Sequence, residues 1–365
     1  MEAIRPALAT LRLSAPLRTY RPLYQCLHTS CARHATPLPH ATIPGPPPGK
    51  PTPHPSDPLE RVARKRRQAE LVKQAQDVRT ESAPSSKPKS LLKKRFWKDV
   101  VVKETPDGLQ VFLDSRPVRT PSKEILTMPA SKHQLATAVA LEWDLLLSAQ
   151  QALKTHYIPM TSLANRALDI ETADAQGRTQ VRDDILKVLM RYLHTDTLLC
   201  WAPEKVMNDT KQNGKTLREL QVETATPIIA YLTAHVWPGV EIKPILEADS
   251  IMPVEQPEFT LQVIQGWLAG LPAFELAGLE RAVLASKSLL VSTRLIHEWG
   301  EAFADARKGS DAPRFGIEEA AEASSLEVRW QTHQWGEVED THDVEKEDLR
   351  RQLGSAVLLV SGDSS

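Results

Sequence analysis

The chain has 365 residues, 41% of them apolar and 25% charged, with a formal net charge of −1. That length and composition are ordinary for one or two globular domains with a real core, and so balanced a charge argues for neither a nucleic-acid partner nor a membrane surface. Nowhere is there the run of about eighteen apolar residues that a membrane-spanning helix needs, so no membrane insertion is expected.

The balance hides a gradient. The first fifty-six residues hold one acid, Glu2, against Arg5, Arg12, Arg18, Arg21, Arg33 and Lys50. Within residues 1–33, Leu8, Leu11, Leu13 and Leu17 interleave with Arg12 and Arg18. This amphipathic, acid-poor pattern predicts a mitochondrial transit peptide and therefore a soluble protein of the matrix. Cysteine usage agrees with a reducing compartment: only Cys26, Cys31 and Cys200 occur, and the first two lie in the stretch to be removed. Cys200, with no partner signature nearby, reads as a small core residue.

Residues 34–92 are predicted as a disordered linker. Thr36 to Pro58 is mostly Pro, His, Thr and Gly, too poor in apolar surface to offset the entropy of ordering. A charged helix is predicted over residues 59–80, but its basic run from Arg64 to Arg67 has no interleaved aromatics and does not read as a nucleic-acid grip. The globular part begins near Lys93.

An N-terminal α+β domain is expected over 93–176. RFWKDVVVKE reads as a strand, Pro106-Asp107-Gly108 as a turn, LQVFLDSRPV as a second strand and ILTMP as a short third one stopped by Pro129. Ser131 with Gln134 forms a capping box for a helix running to about Ser148. After a break at Pro159, Thr161 or Ser162 opens another helix, with Leu163, Ala167 and Ile170 inward.

A C-terminal orthogonal helical bundle is expected over 177–365. Thr179 begins a helix with Val181, Ile185, Val188 and Tyr192 at helical spacing, followed by a β-like run, TDTLLCW. Thr226 before Pro227 predicts a helix over 227–236 that starts there rather than continuing from 215. FELAGLERAVLASKSLLVSTRLIHEW reads as one long helix, residues 317–335 as another ended by Gly336, and Leu349, Leu353, Ala356 and Val360 mark a last one. A few strands followed by many helices make the class α+β.

Catalytic grammar is thin. Gly214-Lys215-Thr216 resembles the end of a phosphate loop, but Asp209 stands where that loop needs glycine. HEWGE at 297–301 is half of a zincin motif with Glu301 in place of the second histidine. A metal-dependent hydrolase using His297, Glu298 and Glu301 is the rival reading. His333, Glu339, His342 and Asp343 have ligand-type side chains at spacings that read as a solvated helix end. No metal and no cofactor are expected. The block at 315–350, with Trp330, Trp335, His333 and His342 among many acids, is a dense signature without a nucleophile, which points to a binding surface.

Six boxes in one order carry a resemblance: RFWKDVVV, LDSRPVRTP, ALEWD, RYLHTDTLLCW, ASKSLLV and SLEVRWQTHQWGEVEDTHD. Together they resemble the mitochondrial ATP synthase assembly chaperones that bind the α subunit of the catalytic head, over about residues 94–360. The resemblance implies a non-enzymatic, monomeric chaperone that shields the unassembled α subunit from aggregation and releases it to the β subunit. It also points to Glu327, in the SLE box, as the contact with the partner, the alternative being that Glu327 caps or pairs within the bundle. Trp330, Gln331 and Gln334 would complete one polar-aromatic face with it. Glu142, Trp143 and Asp144 fall in the EWD box, with structural and interface roles both open. One departure stands out: Ala225 and Thr226 precede Pro227 where the family commonly has Trp-Asp. A structural subunit that stays in a complex is a further alternative.

Overall fold

The computed structural model describes residues 94–203, 211–212, 214–246, 253–307, 314–338 and 341–363, together with Arg67 and Glu70. The transit-peptide and linker expectations for 1–92 lie outside the described residues, except that Arg67 and Glu70 are helical and exposed.

Strands come first, as the alternation and turn residues predict. β1 (Val100–Thr105) and β2 (Gly108–Leu113) form an antiparallel hairpin in the register Val100 to Leu113. Gly108, at φ 134, is required at its tip, because a Cβ there would stand 2.3 Å from the Met128 carbonyl oxygen. β2 is the central strand, pairing also with β3 (Arg116–Pro117) and β4 (Thr127–Met128). The sheet thus has four strands rather than three. The stretch LQVFLDSRPV is not one strand but two, split at Asp114, whose left-handed backbone turns the chain. Its carboxylate accepts the N–H groups of Asp99 and Lys98, and those bonds lower its pKa.

Ten helices follow among the described residues. α1 (His133–Leu145) buries Leu135, Ala136 and Val139 and packs against β1 and β2. No side chain caps it: the Ser131 hydroxyl donates to Glu301 at 3.0 Å, so the predicted capping box does not form. α2 (Pro159–Ala175) takes Pro159 as its first turn rather than as a break before it. α3 (Gln180–Leu193) buries Ile185, Leu186, Leu189 and Leu193.

Three boundaries differ from the sequence pattern. α4 (Leu217–Tyr231) starts at a Thr216–Glu219 capping box and runs straight through Pro227, then widens into a π turn over Leu232–Val236. The Thr226 hydroxyl is no N-cap but donates to the Val222 carbonyl. After α5 (Glu258–Ala269), the long predicted helix is two, α6 (Ala273–Ser286) and α7 (Leu289–Trp299), because Lys287 turns left-handed and Ser288 caps the second. A 3-10 stretch over Glu301–Arg307 leads on. The predicted helix over 317–335 is also two, α8 (Ile317–Ser324) and α9 (Leu326–Trp335). The Ser324 and Ser325 hydroxyls donate to carbonyls of the preceding turn and end α8. Gly336 stops α9 as expected.

The last helix, α10 (His342–Val360), packs chiefly on α6. Gly278 sets their approach, since a Cβ there would lie 2.4 Å from Val360. The Lys132 ammonium then crosses from the sheet side to bind the Val360 carbonyl at the end of α10, and Asp363 pairs with His133. A small antiparallel sheet followed by packed helices is the α+β architecture anticipated.

Candidate functional site

The EWD box forms a corner in which every polar group has a partner inside the fold. The first turn of α2 has N–H groups with no intrahelical acceptor, and the Glu142 carboxylate on α1 accepts those of Met160 and Thr161. Burial raises the Glu142 pKa while these bonds oppose the rise. The Trp143 indole donates to the Thr161 hydroxyl at 3.1 Å, and the Trp143 carbonyl accepts from the Trp97 indole at 3.2 Å. The two rings meet edge to face at 5.6 Å. Arg95 donates to the Asp144 carbonyl and reaches its carboxylate at 3.4 Å.

The β-like run after α3 forms no strand. Its Asp196 is fully buried, and its carboxylate accepts the N–H groups of Leu198 and Leu290, at the start of α7. Burial pushes its pKa up to about 6 despite these bonds and one from Ser288. Burial, with the charges of Asp196 and Glu327, also raises the Cys200 thiol, the reverse of what an activated nucleophile requires.

α9 carries the residues singled out at the C-terminus, but it does not gather them on one surface. Trp330 is buried and lines a groove of about 1020 Å³, walled by α4, α8 and α9. Glu327 lies in a separate small cleft with Thr197, Leu198 and Gln221. Glu327 is exposed, accepts only from Gln331 at 3.2 Å, and makes no ion pair with a described residue. Gln334 is half-buried and lines neither space.

The groove is the feature the sequence reading missed. Its floor includes Tyr231 and Phe315, with the Arg294 guanidinium 3.6 Å above the first ring and 5.1 Å from the second. Glu298 pairs with Arg294 from the next turn of α7. These residues are scattered from 231 to 330, and no local pattern brings them together.

The residues weighed for metal chemistry are dispersed into other tasks. His297 is buried, hydrogen-bonds the Tyr231 hydroxyl at 3.0 Å and stacks on Phe303. Glu298 holds Arg294, while Glu301 meets Ser131 and the Lys132 ammonium. His342 accepts the Val338 N–H, and Glu339 lies outside the described residues. Among the described residues no three His, Cys, Asp or Glu side chains converge as metal ligands would. At the phosphate-loop look-alike, Thr216 caps α4 and Lys215 pairs with Glu223.

Comparison with known proteins gives one consistent answer. Residues 94–233 match the family model described as ATP12 chaperone protein. The mitochondrial atp12 protein of Schizosaccharomyces pombe is 32% identical over 267 residues, covering 73% of this chain and 81% of the relative. Its counterpart in Saccharomyces cerevisiae is 31% identical over 281 residues, covering 72% and 82%. The crystal structure of Atp12 from Paracoccus denitrificans shares the fold, with a TM-score of 0.53 at 24% identity, over 73% of this chain and 96% of that one.

Proposed function

Because the chain belongs to the ATP12 chaperone family, we propose that it is a non-enzymatic assembly factor of the mitochondrial ATP synthase that binds the unassembled α subunit. In this reading it covers the surface that α later presents to β, and releases it as the αβ head closes. An orphan subunit interface is a large apolar surface and an aggregation hazard, so a dedicated partner has a physical task. The observation that best supports a binding role on this chain is Glu327, an exposed carboxylate with no cation of its own, on a helix that also walls an aromatic groove. Water solvates that charge and leaves it open to a partner. A cation on the partner is the natural complement.

The test is direct. Purified α subunit, diluted from denaturant, is expected to stay soluble with one equivalent of this protein and to scatter light without it. A pull-down from extract in which head assembly is blocked is expected to recover α without β. If α aggregates equally in both cases and is not recovered, the reading fails. Recovery only with assembled ATP synthase would instead favour a structural subunit.

Location is part of the same proposal. The two yeast relatives are named as mitochondrial proteins, and the basic, acid-poor residues 1–33 suit import into the matrix. Residues 1–33 fused to a reporter are expected to carry it into the matrix. A chain starting at Lys93 should melt within about 5 °C of one starting at Thr36, a difference of no more than about 1–2 kcal/mol.

A further inference from the structure

We propose that the groove between α4, α8 and α9 is the docking site for the α subunit, and that the segment it receives carries a bulky apolar side chain flanked by one acidic and one basic residue. This rests on the function proposed above and names its surface. Three facts carry it.

The groove has an aromatic floor whose side chains are held by contacts within the fold. Tyr231, Phe315 and Trp330 line it, and Arg294 is clamped between the first two rings while Glu298 neutralises it. Pro227, within α4, adds a side chain to the wall that carries no polar group. A fixed aromatic pocket loses little entropy when an apolar anchor enters, which is the usual character of an interface hot spot.

The walls, by contrast, are charged, and most of those charges cancel within the chain. Lys215 pairs with Glu223 at 2.5 Å and Arg329 with Glu322 at 3.6 Å, while Glu319 keeps its charge but is tied to the Gly316 N–H at 2.9 Å. Two further charged side chains have no ion pair or hydrogen bond with a described residue. Arg314 lies only over the Trp299 ring, at 5.0 Å, and Glu337 makes no hydrogen bond or ion pair with a described residue. Arg314 precedes α8, Glu337 follows α9, and both line the groove, which therefore offers one cation and one anion to an occupant. An occupant with opposite charges on either side of an apolar anchor would meet both, whereas an occupant of single sign would meet one and be repelled by the other.

The volume, about 1020 Å³, lies at the upper limit of small-molecule sites. Together with these two charges it favours a stretch of polypeptide. The exposed apolar ledge of Leu145, Leu147 and Leu153 is the other surface of note, but no charge pattern there specifies an occupant.

The experiment uses the full chain and purified α subunit. Arg314→Glu and Glu337→Arg alter side chains outside the buried core, so both variants are expected to melt as the wild type does. Each should bind α at least tenfold more weakly in a titration followed by fluorescence anisotropy of labelled α. A photo-crosslinking residue at His333, exposed on the groove wall, is expected to capture α, and one at Leu153 is not. Wild-type affinity in both charge variants, or capture from Leu153 with none from His333, overturns the groove assignment. Wild-type protein that fails to bind α refutes the proposed function itself, a separate result.

Discussion

The Glu142-Trp143-Asp144 corner and helix α9 with its flanks both combine carboxylates with tryptophan, yet they differ in how far the fold itself satisfies them. At the corner, the carboxylates and both indoles of the Trp97–Trp143 pair are satisfied by α2, Arg95 and the backbone. On α9 and its flanks, Glu327 and Glu337 pair with no cation among the described residues. Distinctive sequence alone therefore does not separate architecture from the proposed interface; the placement of hydrogen-bond and ion-pair partners does. Buried polar groups must find partners in the chain, and exposed ones left without them remain available to another.

The largest effect should come from breaking the corner. Trp143→Ala removes ring packing on Trp97 and the hydrogen bond to Thr161, and full truncation of a buried Trp costs about 3–5 kcal/mol. Trp143 is half-buried, so the lower end applies. For a folded region of this size the melting temperature should fall by about 6–12 °C. Soluble protein of unchanged melting temperature that no longer binds α would move Trp143 to the interface and erase the contrast.

Asp196 offers a pH test of the same contrast, deep inside the fold. Its pKa, about 6 when folded against an ordinary 3.8, means that the folded state holds this proton more tightly than the unfolded chain does. Stability from this group is therefore fully present below about pH 4 and lost as pH rises through 6, by about 3 kcal/mol for two pKa units. Asp196→Asn cannot ionise and lacks that dependence. Urea midpoints at pH 4 to 7 should show wild type gaining on the variant as pH falls through this window. Parallel profiles for the two proteins would mean that Asp196 stays ionised or is solvated.

The physical reason some elements were legible in sequence and others were not is the range of the forces that set them. The β1–β2 hairpin follows from alternation and a turn at Gly108, and α10 from its apolar period, both within a few residues. Lys287 has no Gly or Pro beside it to announce a break; the local cap at Ser288 is reinforced by Asp196, which accepts the Leu290 N–H across ninety-four residues of sequence. Ser131 was drawn from its capping role by Glu301, 170 residues distant. Pro227 looked like a helix start, but the capping box at Thr216 nucleates α4 upstream of it. Glu327 is singled out through the resemblance, by its place in the SLE box. The groove of Tyr231, Phe315 and Trp330 could not be found that way, since only the packing of α4 against α9 assembles it.

The smallest effect, and the one closest to function, belongs to Glu327. Its carboxylate is exposed, so water and salt already screen it, and an interface charge of this kind acts mainly on association rate. Glu327→Lys should leave the melting temperature unchanged, because the only described partner it loses is Gln331. Binding to α should weaken by about 1–3 kcal/mol, chiefly through slower association at low salt, and the gap from wild type should narrow as ionic strength rises. Gln331→Ala, beside it but uncharged, should do almost nothing. If Glu327→Lys instead lowers stability, its charge serves the small cleft with Thr197 and Gln221 and belongs with the satisfied corner of α1. If it changes neither stability nor binding, the unpaired carboxylate marks no contact and the search moves to Glu322 and Glu339.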